Sequence, residues 1–136
     1  MIDIKRLRQD PAGSRAGLMR RGDPSLGPTL DAILDLDRQR RDLLVQVESL
    51  KAERNAASDE VARRKRARQP ADDLMERLKA SGEEVRELDQ RLREIEKALE
   101  ERLLTVPNFT VEQVPDGDAS ANRVVRSWGS PPQLDF

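Results

Sequence analysis

The sequence contains no cysteine, no histidine and no tyrosine, and one tryptophan with two phenylalanines brings aromatics to 2% of its 136 residues. Without cysteine there are no disulfide staples and no thiolate nucleophile; without histidine there is no imidazole base and the usual zinc ligands are gone. Much familiar catalysis is thereby excluded. Long hydrophobic runs are missing too. The start, Met1-Ile2-Asp3-Ile4-Lys5-Arg6, lacks the apolar stretch of a signal peptide, and no window approaches the roughly 20 apolar residues of a membrane helix. A soluble, cytoplasmic protein with no membrane partner is expected.

What is present is charge, at 38% of residues, with 25 basic side chains facing 26 acidic ones for a formal net charge of -1. Charge this dense with one sign in excess would favour disorder; balanced, and with leucines recurring regularly, it belongs to long helices that bury a narrow seam. From Ile33 the apolar positions step by three and four. Ile33, Arg40, Val47, Arg54, Val61 and Arg68 occupy one heptad site, and Leu36, Leu43, Leu50, Ala57 and Arg64 the other. The seam is good at its base and fails toward Arg64 and Arg68. After Pro70 a second run places Leu78, Val85, Leu92 and Leu99 at one site and Leu74, Ser81, Leu88 and Ile95 at the other, ending at Pro107.

Two seams of similar length separated by a short turn with a proline meet within one chain only by folding back. The expected fold is all-α: a long antiparallel two-helix coiled-coil hairpin, preceded by short helices and followed by an irregular connector. The expected division is a helical arm domain over 1–107, with short helices in 1–26, arm helix 1 over 28–68, a tip turn at 69–72 and arm helix 2 over 72–105, then a linker over 108–136. An intermolecular coiled coil is the alternative. Asp10-Pro11 reads as a helix start and Gly22 as a stop, whereas Gly13 and Gly17, outside any apolar span, read as close packing or chance. In the connector, Val114-Pro115-Asp116-Gly117 is a turn signature, and residues 123–128 alternate loosely enough for one short strand. Unpaired, that strand, with the apolar Trp128 and Phe136, suggests docking on something else, and mobility from about Asn108 onward where nothing covers it.

The densest feature is Arg63-Arg64-Lys65-Arg66-Ala67-Arg68, five cations in six residues just ahead of the turn. A helix C-terminus favours one or two cations, and Asp72 and Asp73 suit the opposite pole of the next helix. Five exceed that need, and Arg64 and Arg68 give up seam positions. Two readings stand: a solvated face, or a contact for a polyanion. With no aromatic residue on the arm there is nothing for single-stranded bases to stack on, so structured RNA, read by backbone and shape, is the better-suited polyanion. Lys51, Arg54, Arg77, Lys79 and Arg86 could extend such a contact down the shaft, though for each an ordinary intrahelical ion pair is the expected reading. The same holds for Glu83, Glu84, Glu87, Glu94, Glu96, Glu100 and Glu101, interleaved with Arg86, Arg91, Arg93, Lys97 and Arg102, which gives no support to a paired-carboxylate hydrolase.

Several stretches carry a family likeness: Met1-Ile2-Asp3-Ile4-Lys5-Arg6-Leu7-Arg8-Gln9-Asp10-Pro11, Arg20-Arg21-Gly22, Leu50-Lys51-Ala52-Glu53-Arg54-Asn55-Ala56-Ala57-Ser58, Val106-Pro107-Asn108, Val114-Pro115-x-Gly117 and Trp128-Gly129-x-Pro131-Pro132. Through them the chain resembles the N-terminal region of bacterial-type seryl-tRNA synthetase. The resemblance implies an arm that grips the long variable arm of serine tRNA, beside a class II domain that activates serine with ATP and magnesium in a homodimeric parent. That catalytic domain would begin about where the sequence ends, so the segment alone is expected to be an inactive fragment with no cofactor of its own. Arg54, Asn55, Arg63, Arg64, Lys65, Arg66 and Arg68 are the candidate RNA-facing residues. One departure is local: Phe109-Thr110-Val111-Glu112-Gln113 follows the proline-asparagine pair where the family usually has histidine. A non-enzymatic coiled-coil scaffold that binds protein is the competing function.

Overall fold

In a computed structural model, which describes residues 2–117, 119–132 and 134, the chain forms four α-helices. They are α1 (Ile4–Gln9), α2 (Pro11–Met19), α3 (Leu26–Arg66) and α4 (Asp72–Thr105), followed by a single 3-10 turn at Ala119–Ala121. Their starts follow from capping chemistry. Asp3 accepts the Lys5 N–H at 2.8 Å ahead of α1. Asp10 accepts the Gly13 N–H at 2.8 Å, with Pro11 at the first position of α2. Gly22, at φ 71°, lets the chain leave α2 in the left-handed region that side chains resist. Before α3, Asp23 accepts both the backbone N–H (2.8 Å) and the hydroxyl (2.6 Å) of Ser25. This turn starts α3 at Leu26, two residues earlier than Gly27-Pro28 suggested.

Helices α3 and α4, of 41 and 34 residues, pack antiparallel as a hairpin about 60 Å long. The shape shows in the exposed area. A compact protein of this mass exposes about 7,200 Å² by the usual scaling, whereas this one exposes 10727 Å². The core sits at the base. There α1 and α2 lie against α3, so that Ile2, Leu7, Leu18, Leu26, Leu30, Ile33, Leu99, Leu103 and Val106 form one buried cluster. Up the arm the seam continues through Leu43, Val47 and Val85, but no α3 side chain beyond Val47 is buried. The seam weakens where the heptads lose their leucines, and Ser81, between the helices, keeps a buried hydroxyl with no hydrogen-bond partner.

Two expectations are corrected. Residues 123–128 form no strand, because extended backbone with no neighbouring strand has no ladder to join; among the described residues there is no strand at all. Val124, Val125 and Trp128 are instead exposed, Trp128 at 89%. Phe136 lies outside the described residues. The first residues of the connector pack against the base. Val106 is buried, Phe109 packs beneath the Arg6 guanidinium at 4.3 Å, and its ring passes so close to Gly17 that a Cβ there would sit 2.9 Å from the Phe109 Cδ1. The Gly17 position therefore has a packing cause, a ring in place of a methyl group. Finally, the charges of α4 are mostly solvated. Among the described residues the only ion pair within that helix is Lys97–Glu101 at 3.9 Å, while Glu96 and Asp89 pair across to Arg40 (2.9 Å) and Lys51 (3.1 Å). Exposed same-helix pairs gain too little to hold long side chains in place.

Candidate nucleic-acid interface

The cationic run occupies the last turn of α3 and the first residues of the tip. Its backbone closes by a paired hydrogen-bond arrangement: Gln69 N–H donates to the Arg64 carbonyl at 2.9 Å, and Arg68 N–H to the Lys65 carbonyl at 3.1 Å. That geometry needs a left-handed residue at position 68. Where helices ordinarily use glycine, this chain places Arg68 at φ 56°, the only described non-glycine residue with positive φ. The conformation costs about 1–2 kcal/mol for a side chain with a Cβ. Pro70 and Ala71 then carry the chain into α4, whose first turn holds Asp72 and Asp73.

The five tip cations do not share one environment. Arg63 lies 2.9 Å from Glu60, one turn back on its own helix. Arg64 is more committed: it reaches Glu60 at 3.4 Å and crosses to Asp73 at 3.1 Å, with its side chain 32% exposed. Lys65, Arg66 and Arg68 are exposed and form no ion pair with any described residue. The tip is thus a clasp made by Arg64 and a free cationic edge made by its neighbours.

Further down, Arg54 and Asn55 are exposed on α3. Arg54 borders a shallow hollow of about 140 Å³ between the helices, with Glu53, Ala57, Leu74, Arg77, Leu78 and Ser81. The small side chains Ala57 and Ser81 leave this space, and no carboxylate among the described residues pairs with Arg54 or Arg77. Lys51 is engaged with Asp89 on the opposite helix, not within its own. The structure therefore gathers Arg63, Arg64, Lys65, Arg66 and Arg68 at the tip and leaves Arg54 and Asn55 apart, nearer mid-shaft.

At the other end lies a charged feature that sequence reasoning missed. Asp37 is 2% exposed, on the face of α3 that turns toward α1, and receives hydrogen bonds from Arg8 at 3.2 Å and Arg41 at 3.1 Å. The Asp37–Arg41 spacing of four residues was a visible signal of pairing, but nothing local announced the burial. It arises because α1 lies against this part of α3 and brings Arg8 onto the carboxylate. Among the described residues no group of three carboxylates converges on a common point, and no helix is long and apolar enough to cross a membrane.

Comparison with known proteins bears on what such an arm belongs to. The family model for the seryl-tRNA synthetase N-terminal domain matches residues 1–110. The chain is 43% identical over 137 aligned residues to a serine–tRNA ligase of Carboxydothermus hydrogenoformans, and 36% identical to one of Staphylococcus haemolyticus. In each case 100% of this chain aligns with 32% of the relative. The chain thus spans about a third of the length of the curated relatives it matches. Its fold superposes on a seryl-tRNA synthetase from Pyrococcus horikoshii, solved in complex with ATP, at a TM-score of 0.85 and 32% identity, over 95% of this chain and 29% of that one. The helical hairpin described above, with its short helices at the base, belongs to the seryl-tRNA synthetase N-terminal domain family.

Proposed function

We propose that the chain is the tRNA-binding arm of a serine–tRNA ligase of the cytoplasm. In this reading its cationic tip lies on the backbone of the long variable arm of serine tRNA and holds the RNA for ATP-dependent aminoacylation. The aminoacylation itself would occur in a class II catalytic domain within the two thirds of the relatives' length that this chain does not span. ATP and magnesium would be held there. The parent would be a homodimer, each arm serving the active site of the partner subunit.

The observation that carries the reading is the free cationic edge of Lys65, Arg66 and Arg68, about 30 Å beyond Val47, the last buried α3 side chain. Charges left without internal partners at the end of a rod are placed to meet phosphates, and the shaft carries no aromatic ring on which bases could stack. Recognition by groove shape and backbone follows, as suits structured RNA. Arg63 contributes from beside this edge, and Arg64 holds the tip closed while lending part of its charge. Arg54 and Asn55 extend the contact toward mid-shaft. Gripping the RNA body in this way places its acceptor end and supplies binding energy remote from the chemistry, which raises kcat as well as lowering KM.

The test is titration of the 136-residue chain with a long-variable-arm tRNA and with a short-arm tRNA at matched salt. Preference for the long-arm form supports the proposal. Equal and negligible binding to both would favour the protein-binding scaffold instead.

A further inference from the structure

Arg20 and Arg21 follow directly after α2, and Gly22 turns the chain away behind them. Cations at a helix C-terminus usually answer the helix's own carbonyls. These two are used elsewhere. Arg20 donates from Nε to the Asp116 carboxylate at 2.6 Å and from Nη2 to the Val114 carbonyl at 2.7 Å, with a longer contact from Nη1 to the Val111 carbonyl at 3.5 Å. Arg21 donates from Nε to the Asn108 carbonyl at 2.8 Å, and its Nη2 reaches the same oxygen. Both arginines therefore bind backbone nearly ninety or more positions away in sequence. Beside them, Phe109 is seated between Gly17 and Arg6. Two side chains at the end of one short helix thus take hold of the connector at four points along 108–116.

We infer that Arg20 and Arg21 are positioning residues for aminoacylation: they fix the path by which the connector leaves the helical base, and so fix where an RNA held by the arm presents its acceptor end. The inference rests on the reading given under Proposed function. Its physical content is separate, because the clamp touches neither the arm tip nor any reacting group. A guanidinium fork suits the task, since its planar donors reach a carboxylate and a carbonyl at once, which an ammonium cannot do with fixed geometry. Misplacement of a substrate by about 1 Å from a change far from the chemistry can cost about a hundredfold in rate. An arm that swings on its connector would misplace the acceptor end by at least that much.

The experiment uses the full-length ligase carrying Arg20→Ala, Asp116→Ala and Arg20→Lys, alongside the 136-residue chain with the same substitutions. Asp116→Ala removes one end of the clamp at an exposed residue, so it tests the contact without threatening the fold. For Arg20→Ala the expected result is a loss of about tenfold or more in kcat/KM for tRNA, carried mainly by kcat. Serine-dependent ATP–pyrophosphate exchange should be unchanged, and so should the affinity of the 136-residue chain for tRNA. Amide exchange at Val114, whose N–H bonds the Val111 carbonyl at 3.1 Å, should accelerate in the short chain. Asp116→Ala should move the same readouts in the same direction, and Arg20→Lys should restore them in part. Unchanged aminoacylation, or unchanged exchange at Val114, would overturn the inference. So would a parallel loss of serine activation or of arm affinity, which would indicate general damage. Failure of the unsubstituted chain to bind tRNA would count against the proposed function instead, and is read separately.

Discussion

Arg64 on α3 holds Asp73 on α4 at 3.1 Å, joining the two arm helices across the tip while its neighbours Lys65 and Arg66 point their charge at solvent without an ion-pair partner among the described residues. The relationship splits one run of like charges into two roles. It also means that alanine at 64 and alanine at 65 and 66 have different consequences.

For Arg64→Ala the expected loss is at most about 1 kcal/mol of stability, since the pair is partly exposed and screened. The loss should appear as faster amide exchange in the last turn of α3 and first turn of α4. Replacing Lys65 and Arg66 together should leave melting and helicity unchanged. A collapse of helicity in that double variant would mean these two cations are structural.

Arg68 occupies a left-handed position that glycine would fill without strain. Arg68→Gly is therefore expected to raise stability by about 0.5–1 kcal/mol, the gain being reduced by the greater freedom of glycine in the unfolded chain. Tip binding to RNA should weaken in the same variant. Thermal melting checks the first half, and a lower melting temperature would contradict the strain argument.

Asp37→Asn keeps the volume but removes the charge that Arg8 and Arg41 share. A loss of about 1–3 kcal/mol is expected, because a buried acceptor shared by two guanidinium groups is replaced by a poorer one. Urea unfolding measures it. Arg8 lies on α1, so exchange should rise first in α1. A neutral outcome would show that the pocket admits enough water to solvate both arginines.

Asp23 gives a pH dependence with a definite sign. The hydroxyl and then the backbone N–H of Ser25 hold its carboxyl below the ordinary value of 3.8. Its folded-state value is depressed, so its contribution is complete above 3.8 and is lost as pH falls through the lower folded-state value. Carboxyl titration by NMR should give a midpoint beneath 3.8 for Asp23, and the Asp23→Ala variant should lose that part of the acid sensitivity. A midpoint above it would contradict the turn described before α3.

Much of this fold was legible because heptad spacing and punctuation agreed. Asp10-Pro11 and Gly22 bracket α2, and Pro70 falls in the turn between α3 and α4. What escaped notice depended on contacts between distant segments. Asp37 looks like any solvated aspartate on a charged helix until α1 is laid over it, and Arg20 and Arg21 give no local hint that their partners lie at 108–116. The strand expected at 123–128 had the right alternation but no neighbour. At the tip, composition revealed the charge; only side-chain geometry separated Arg64 from Lys65, Arg66 and Arg68.

The most direct measurement is the salt dependence of tRNA binding by the 136-residue chain and by its Lys65→Ala, Arg66→Ala, Arg68→Ala triple variant. If these side chains lie on phosphates, the slope of log affinity against log salt should shrink in the variant by about one unit per residue removed, at unchanged helicity. An identical slope for both proteins would contradict the account, since the tip charges would then release no counterions on binding.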